Sequence, residues 1–384
     1  MPLIAVVTPL FPISKEIYRG QPIYQTVVAL QRHADVRVFC PMTNYPSLFK
    51  PRFRHHQQPD KTYRPAGVEA TYFDYPVFPL LSRPLNGRVC RHYLARQMEG
   101  LKFDMILSFW LYPDSWAAMS IARKHGKPIV ASARGSDLRR IQDAFTRRYV
   151  RQTVRSVDRL LTVSEELRRQ AIAMGAAPEN VRTIVNGCDS SRFHPMPRRD
   201  VRAGLKIGDS ERIILFVGRV EQAKGAHVLV DAFARLAADP SLRLVFVGGG
   251  QESFRSVIEG HGLSDRVHLA GPAGPDAVAL WMNAADVFCL PSFSEGCPNV
   301  VLEATAAGCP VVANNVGGVP EIVSPENGVL VDDHEPETLA RALRAALDRS
   351  WDRETISRHS TRTWNDVGDE TYALCAEVME RRRP

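Results

Sequence analysis

The chain of 384 residues reads as an α/β protein built from two doubly wound, Rossmann-like domains, each a parallel sheet with helices on its faces. Three observations predict this. The length exceeds what one ordinary core serves. Short apolar runs alternate with amphipathic segments from end to end, the pattern of parallel βαβ units. That pattern stops and restarts once, around Asn186-Gly187 and a charged stretch containing Pro195 and Pro197, which read as a turn and a linker.

In the first half the predicted strands are Leu3–Thr8, Val36–Cys40, Met105–Phe109, Ile129–Ser132, Leu160–Val163 and Val181–Val185. Most are continuous apolar runs, as strands covered by helices must be, with Arg37 and Arg182 interrupting two of them. Residues 41–88 are rich in Pro, His, Arg and aromatics without a clean period, and read as a long irregular excursion. The second half restarts at Arg212–Val217 and continues through Leu242–Val247, Val267–Leu269, Val287–Leu290, Pro310–Ala313 and Gly328–Val331. The segment 351–383 is amphipathic and helical. The expected domains are therefore 1–195 and 196–360, with a closing helix at 361–384.

Hydrophobic content of 45% and charged content of 24% are those of a globular protein. No apolar run approaches the roughly 18 residues of a membrane span, and Leu3–Val7 is too short and too lightly flanked for a signal peptide. Seven cysteines without metal-ligand spacing suit reduced thiols, so a cytoplasmic location is expected. Charge is uneven. Residues 1–195 hold 29 Lys and Arg against 15 Asp and Glu, a balance of +14, and the remainder holds 20 against 27, a balance of −7. Two clusters carry the excess. One is Arg83, Arg88, Arg91, His92 and Arg96, interleaved with Leu80, Leu81, Leu85, Val89 and Leu94. The other is Arg139, Arg140, Arg147, Arg148, Arg151 and Arg155, with Phe145, Tyr149 and Val150. Both form helices with a basic face beside an apolar one, which suits an anionic membrane surface or an ordinary solvated face. No nucleic-acid motif accompanies them, so nucleic acid is not an expected partner.

The densest chemistry lies between Ser292 and Val323. A strand ends in a loop with Glu295 and Gly296, Pro298 opens an apolar helix, and Glu303 follows Glu295 by eight residues inside that helix. A free helix N-terminus lies between the two carboxylates and favours an anion. Two hydroxyl-binding carboxylates around a phosphate site suit a nucleotide-sugar.

The stretch resembles the Glu-x7-Glu signature of the retaining glycosyltransferases of family four, which have the GT-B fold. The likeness extends to Gly218-Arg219 with Lys224-Gly225, to Val247-Gly248-Gly249-Gly250, to Asn186-Gly187-Cys188-Asp189 with Phe193 and Pro195, and to Ala133-Arg134-Gly135-Ser136-Asp137. It implies two domains facing a central cleft, a closing helix that crosses back to the first domain, and transfer without a metal or other cofactor. It also implies roles. Arg219 and Lys224 would neutralise the leaving diphosphate, helped by Gly218, Gly248 and the amides near Gly296, Cys297, Pro298 and Asn299. Glu295 would hold the donor sugar hydroxyls and Glu303 those of the ribose. Arg134 stands where many relatives carry His and could meet the donor sugar or phosphate, or an anionic acceptor; Gly20, what remains of a glycine pair after the first strand, would lie on the donor. Asp137 would serve the acceptor side, orient Arg134, or cap a helix. No Asp-x-Asp metal motif stands at a strand end, and Asp332-Asp333 reads as a helix-capping turn.

The expectation is a retaining hexosyltransferase that moves sugar from a nucleotide diphosphate sugar to a glycan or lipid-linked acceptor in surface polysaccharide biosynthesis, peripheral at the inner face of the plasma membrane. The alternatives are transfer to a small soluble acceptor, such as a sugar phosphate, and a non-catalytic nucleotide-sugar-binding subunit.

Overall fold

The computed structural model describes residues 1–45, 62–78, 82–139, 141 and 143–382. The chain divides into two compact units, Met1–Asn186 with Trp364–Pro384, and Gly187–Thr363. The first division falls before the expected 195, because Cys188 and Phe193 are buried in the second unit's core and the Cys188 amide donates to Arg362 O at 2.9 Å.

The first unit's sheet contains β1 (Leu3–Val7), β2 (Asp35–Asn44), β3 (Glu69–Pro76), β4 (Met105–Phe109), β5 (Ile129–Ala133), β6 (Arg159–Thr162) and β7 (Val181–Thr183). Its order is β3-β2-β1-β4-β5-β6-β7, with every pairing parallel. Val6 lies opposite Val38 on one side and Leu107 on the other. The order reverses between β1 and β4, the switch point beside which ligands of such sheets bind. One expectation is corrected here: β3 lies inside the segment read as irregular. Ala70, Tyr72, Phe73 and Tyr75 are buried while the end residues Glu69 and Pro76 are exposed, in a strand at the sheet edge. The rest of that excursion includes residues 46–61 and 79–81, which lie outside the described residues.

The closing segment breaks in two. Asp352 caps the short helix Arg353–Arg358, accepting from the amides of Glu354 and Thr355 at 3.1 and 3.2 Å. The helix Trp364–Arg381 then packs on the helix Gln21–Leu30 of the first unit. A Cβ on Gly368 would come within 2.5 Å of Ala29 Cβ, so only glycine permits this approach. His33 stacks on Tyr372 and meets Asp369 Oδ1 at 2.7 Å, and Arg159 pairs with Glu377 at 2.8 Å.

The second unit's sheet contains β8 (Arg212–Val217), β9 (Leu242–Val247), β10 (Val267–Gly271), β11 (Val287–Leu290), β12 (Val311–Asn314) and β13 (Gly328–Val331). Its order is β10-β9-β8-β11-β12-β13, again wholly parallel, and the switch point lies between β8 and β11. The buried side chains of these strands, such as Phe216, Phe246 and Phe288, each contribute roughly 1.5–3 kcal/mol of apolar burial.

Candidate functional site

The C-terminal ends of β8 and β9 are joined by glycines. Gly218 (φ +144°) donates from its amide to Val247 O at 2.9 Å, and Gly248 (φ +146°) donates to Gly271 O at 2.8 Å. A Cβ on Gly248 would stand 1.8 Å from Gly218 O, so no other residue fits. Arg219 leaves this edge with its side chain 74% exposed and its guanidinium 3.4 Å from Glu221 Oε1. A short turn, Gln222–Lys224, leads to Gly225 (φ +69°) at the head of the helix Ala226–Leu236. A Cβ on Gly225 would meet Pro291 O at 1.9 Å, which fixes the turn against the loop after β11. Lys224 Nζ thereby reaches Glu295 and donates to Oε1 at 2.7 Å. Glu295 is nearly buried and Lys224 partly so.

Gly296 accepts at its carbonyl from the Gly318 amide at 3.1 Å, tying the β11 loop to the loop after β12. Cys297 and Asn299 are half-buried, and Pro298 is the N-cap of the helix Asn299–Ala306 rather than a residue of its first turn. Glu303 lies within that helix beside Cys188 and Arg192. Burial pushes its carboxyl up to about 7, and the Arg192 charge pulls the other way. Cys188 is also raised, first by burial and then by the Glu303 charge, so it stays a thiol.

A ring stack beside the Lys224–Glu295 pair had no signal in the sequence. Phe293 lies between His227 (centroids 5.8 Å apart, planes within 6°) and His334 (4.1 Å, 9°), and its amide donates to Ala223 O at 3.3 Å. His227 Nδ1 and Ser292 Oγ are buried there without a partner among the described residues. The three rings come from three separate segments, so no local pattern could reveal them. Asp333 does act as a turn cap, accepting from the Glu335 amide at 3.0 Å and from Thr338 Oγ1 at 3.1 Å.

The remaining sequence-predicted residues belong to the first unit, again at strand ends. Gly20 (φ +64°) heads the helix Gln21–Leu30 in the loop after β1, where a Cβ would stand 2.4 Å from Leu10 O. Arg134 follows β5; its guanidinium lies over the Phe109 ring at 5.9 Å and donates to Asn186 Oδ1 at 3.0 Å. Asp137 meets Arg134 at its backbone amide. Its carboxylate accepts from the amides of Arg134 (3.0 Å), Gly135 (2.9 Å) and Leu111 (3.3 Å), which ties the β5 loop to the β4 loop. These are not the amides a helix N-cap would take, and burial still raises its pKa against them. Sequence reasoning passed over two neighbours. Trp110 ends β4 at φ +66°, a strained conformation for a bulky residue. Asp114 is fully enclosed, with Oδ1 unpartnered, and burial pushes its carboxyl up to about 8.

Two family models match this chain, one per half. The description glycosyl transferases group 1 covers residues 197–363, and Glycosyltransferase Family 4 covers residues 23–192. The chain belongs to that family. Among curated relatives, D-inositol 3-phosphate glycosyltransferase of Rhodococcus opacus is 33% identical over 250 residues, 62% of this chain and 56% of the relative. The protein of the same name from Nocardia farcinica is 31% identical over 316 residues, 77% of this chain and 69% of the relative. The chain thus spans only part of each relative's length. Among solved structures, a sucrose-phosphate synthase from Thermosynechococcus elongatus superposes with a TM-score of 0.82 at 20% identity, covering 99% of this chain and 100% of the other. The fold of this family-four chain is therefore GT-B, two Rossmann-like domains in one polypeptide.

Proposed function

We propose that this family-four chain transfers a glycosyl group from a nucleoside-diphosphate sugar to a hydroxyl of a small soluble acceptor bearing phosphate, a polyol phosphate or sugar phosphate. The observation that carries the reading is the 2.7 Å contact between Lys224 Nζ and Glu295 Oε1, a cation and a carboxylate held together at the second unit's switch point. In this reading Lys224 and Arg219 stabilise the charge that grows on the departing diphosphate, as fixed cations do without a metal. Glu295 accepts from donor sugar hydroxyls, Glu303 from the ribose, and the amides after Pro298 meet phosphate. The bond from the anomeric carbon to the diphosphate oxygen breaks, a bond to the acceptor oxygen forms on the same face, and the leaving phosphate takes the hydroxyl proton. Configuration is retained.

The choice of acceptor departs from the sequence-based expectation. Relatives named for inositol phosphate, and a structural neighbour named for sucrose phosphate, support the small-acceptor alternative over a glycan or lipid-linked one. Surface polysaccharide synthesis is the second reading, favoured by the arginine-rich helices of the first unit. A matrix of UDP-, GDP- and ADP-sugars against inositol phosphates, sugar phosphates and lipid extract tests both. Nucleoside diphosphate release that requires a small phosphorylated acceptor is the expected result. Release stimulated only by the lipid extract would put the second reading first, and release independent of any acceptor would remove both.

A further inference from the structure

We infer that the first unit carries a docking surface for anionic lipid, formed by the helices Asn86–Gln97 and Ala144–Ser156. Neither helix contains an acidic residue. On the second, Arg147, Arg148, Arg151 and Arg155 are all exposed and occupy one stripe at helical spacing. Arg88, Arg91 and Arg96 are exposed on the first. None of these seven guanidinium groups has an ion-pair or hydrogen-bond partner among the described residues. Several arginines on other helices have carboxylate partners: Arg168 with Glu165, Arg344 with Asp239, Arg381 with Glu377. Among the described residues Arg169 and Arg199, single residues on two other helices, also lack a partner, so the unpaired arginines are concentrated on these two helices but not confined to them.

The structure also brings the two helices together. Arg83 pairs with Asp143, the N-cap of the second helix, at 3.3 Å. Tyr112, whose hydroxyl donates to Arg83 O and accepts from the Gly87 amide, stacks on Tyr149 with centroids 5.0 Å apart and planes within 5°. Leu85 and Phe145 flank this junction, 50% and 58% exposed. Basic side chains beside exposed apolar ones match the interfacial helix pattern, in which arginines meet headgroups and Phe or Leu enters the acyl boundary. A nucleic-acid surface would not explain those apolar side chains. Arg140, Leu80 and Leu81, counted in the same clusters from sequence, lie outside the described residues. Among the described residues no helix is long and apolar enough to cross a membrane, so the contact is peripheral.

The test uses the whole chain without donor or acceptor, so its outcome does not depend on the proposed reaction. Co-sedimentation is measured with phosphatidylglycerol vesicles and with phosphatidylcholine vesicles, at low and high salt. Binding to the first only, weakening as salt shortens the screening length, is expected. Arg147, Arg148 and Arg151 changed together to Ser should weaken it roughly 100-fold, from about fivefold per basic residue at an anionic surface. Phe145→Ser should weaken the part that persists in high salt. Both variants change exposed side chains and are checked by an unchanged melting temperature. No binding at low salt, equal binding to both vesicles, an unaffected triple variant, or displacement from vesicles by duplex DNA would each overturn the proposal.

Discussion

The two units present their strand ends in different ways. In the second, glycines at 225 and 248 let backbone approach backbone so closely that a methyl group could not be added, and cation and carboxylate meet at 2.7 Å. In the first, the comparable ends are occupied by interactions internal to the unit: Arg134 reaches Asn186, and Asp137 is taken up by three backbone amides. Asp114 is shut in without a partner for Oδ1. One edge brings a cation and a carboxylate together across two loops, and the other bonds its charged groups within the unit. Polar groups that only maintain shape should affect stability when changed. Those held for a ligand should affect rate and affinity.

The largest effect expected from this contrast is at Lys224. Lys224→Ala should cut turnover about 100-fold or more with folding intact, the loss typical of a removed oxyanion-stabilising group. Arg219→Ala should act in the same direction, since a group 74% exposed in the free protein has freedom to move onto phosphate. Steady-state rates with the donor found by the screen, alongside circular dichroism, provide the check. A near-normal rate in Lys224→Ala would remove the diphosphate role. Chelator should leave these rates unchanged, and a strict requirement for a divalent ion would oppose the same assignment.

A smaller effect, confined to stability, is expected in the first unit. Asp114 has its pKa near 8 in the folded chain against an ordinary 3.8, because burial penalises the carboxylate. Between those values the folded state holds a proton that the unfolded state has lost. Stability therefore falls as pH rises through this window. Asp114→Asn cannot titrate, so its melting temperature should decline less steeply than that of the wild type between pH 5 and 8. Comparing slopes sets aside any constant offset from the new amide. Parallel curves would mean that Asp114 is not held protonated in the fold.

How much of this was legible in sequence follows the same divide. Glu295, Glu303, Arg219, Lys224 and their glycines lie in two short segments, so spacing along the chain reports their placement at strand ends and, for Glu303, in the helix that follows. β1 and β4 were readable because burial on both faces demands continuous apolar runs. β3 was not, since this edge strand carries Glu69, Asp74 and Pro76 among its aromatics, which breaks the apolar run. The Phe293 stack and the enclosure of Asp114 depend on residues distant in sequence, and the pairing of Asp137 with the Leu111 amide spans two loops. Unpaired arginines are also invisible in one dimension, because charge can be counted along a chain but partners cannot. The sequence could rank an anionic membrane only level with a solvated face. Finding the partners absent separates these helices from those whose arginines have carboxylates.

The smallest expected effect sharpens the contrast inside the second unit itself. Glu303, unlike Glu295, has no cation bonded to it among the described residues, and burial holds its pKa near 7 against the pull of Arg192. If ribose hydroxyls donate to its carboxylate, binding favours the charged form and lowers that pKa in the complex. Donor binding then releases a proton, and affinity should rise with pH below about 7 and level off above it. One pH unit can contribute at most tenfold, so a severalfold fall in Kd between pH 6 and 8 is expected. Glu303→Gln should bind more weakly at pH 8 and lose most of this dependence. Calorimetry in two buffers of different ionisation enthalpy counts the proton directly. A Kd that ignores pH in the wild type, or a slope that survives in Glu303→Gln, would move Glu303 from the donor site to the packing of its helix, where a buried neutral acid beside Cys188 needs no ligand to explain it.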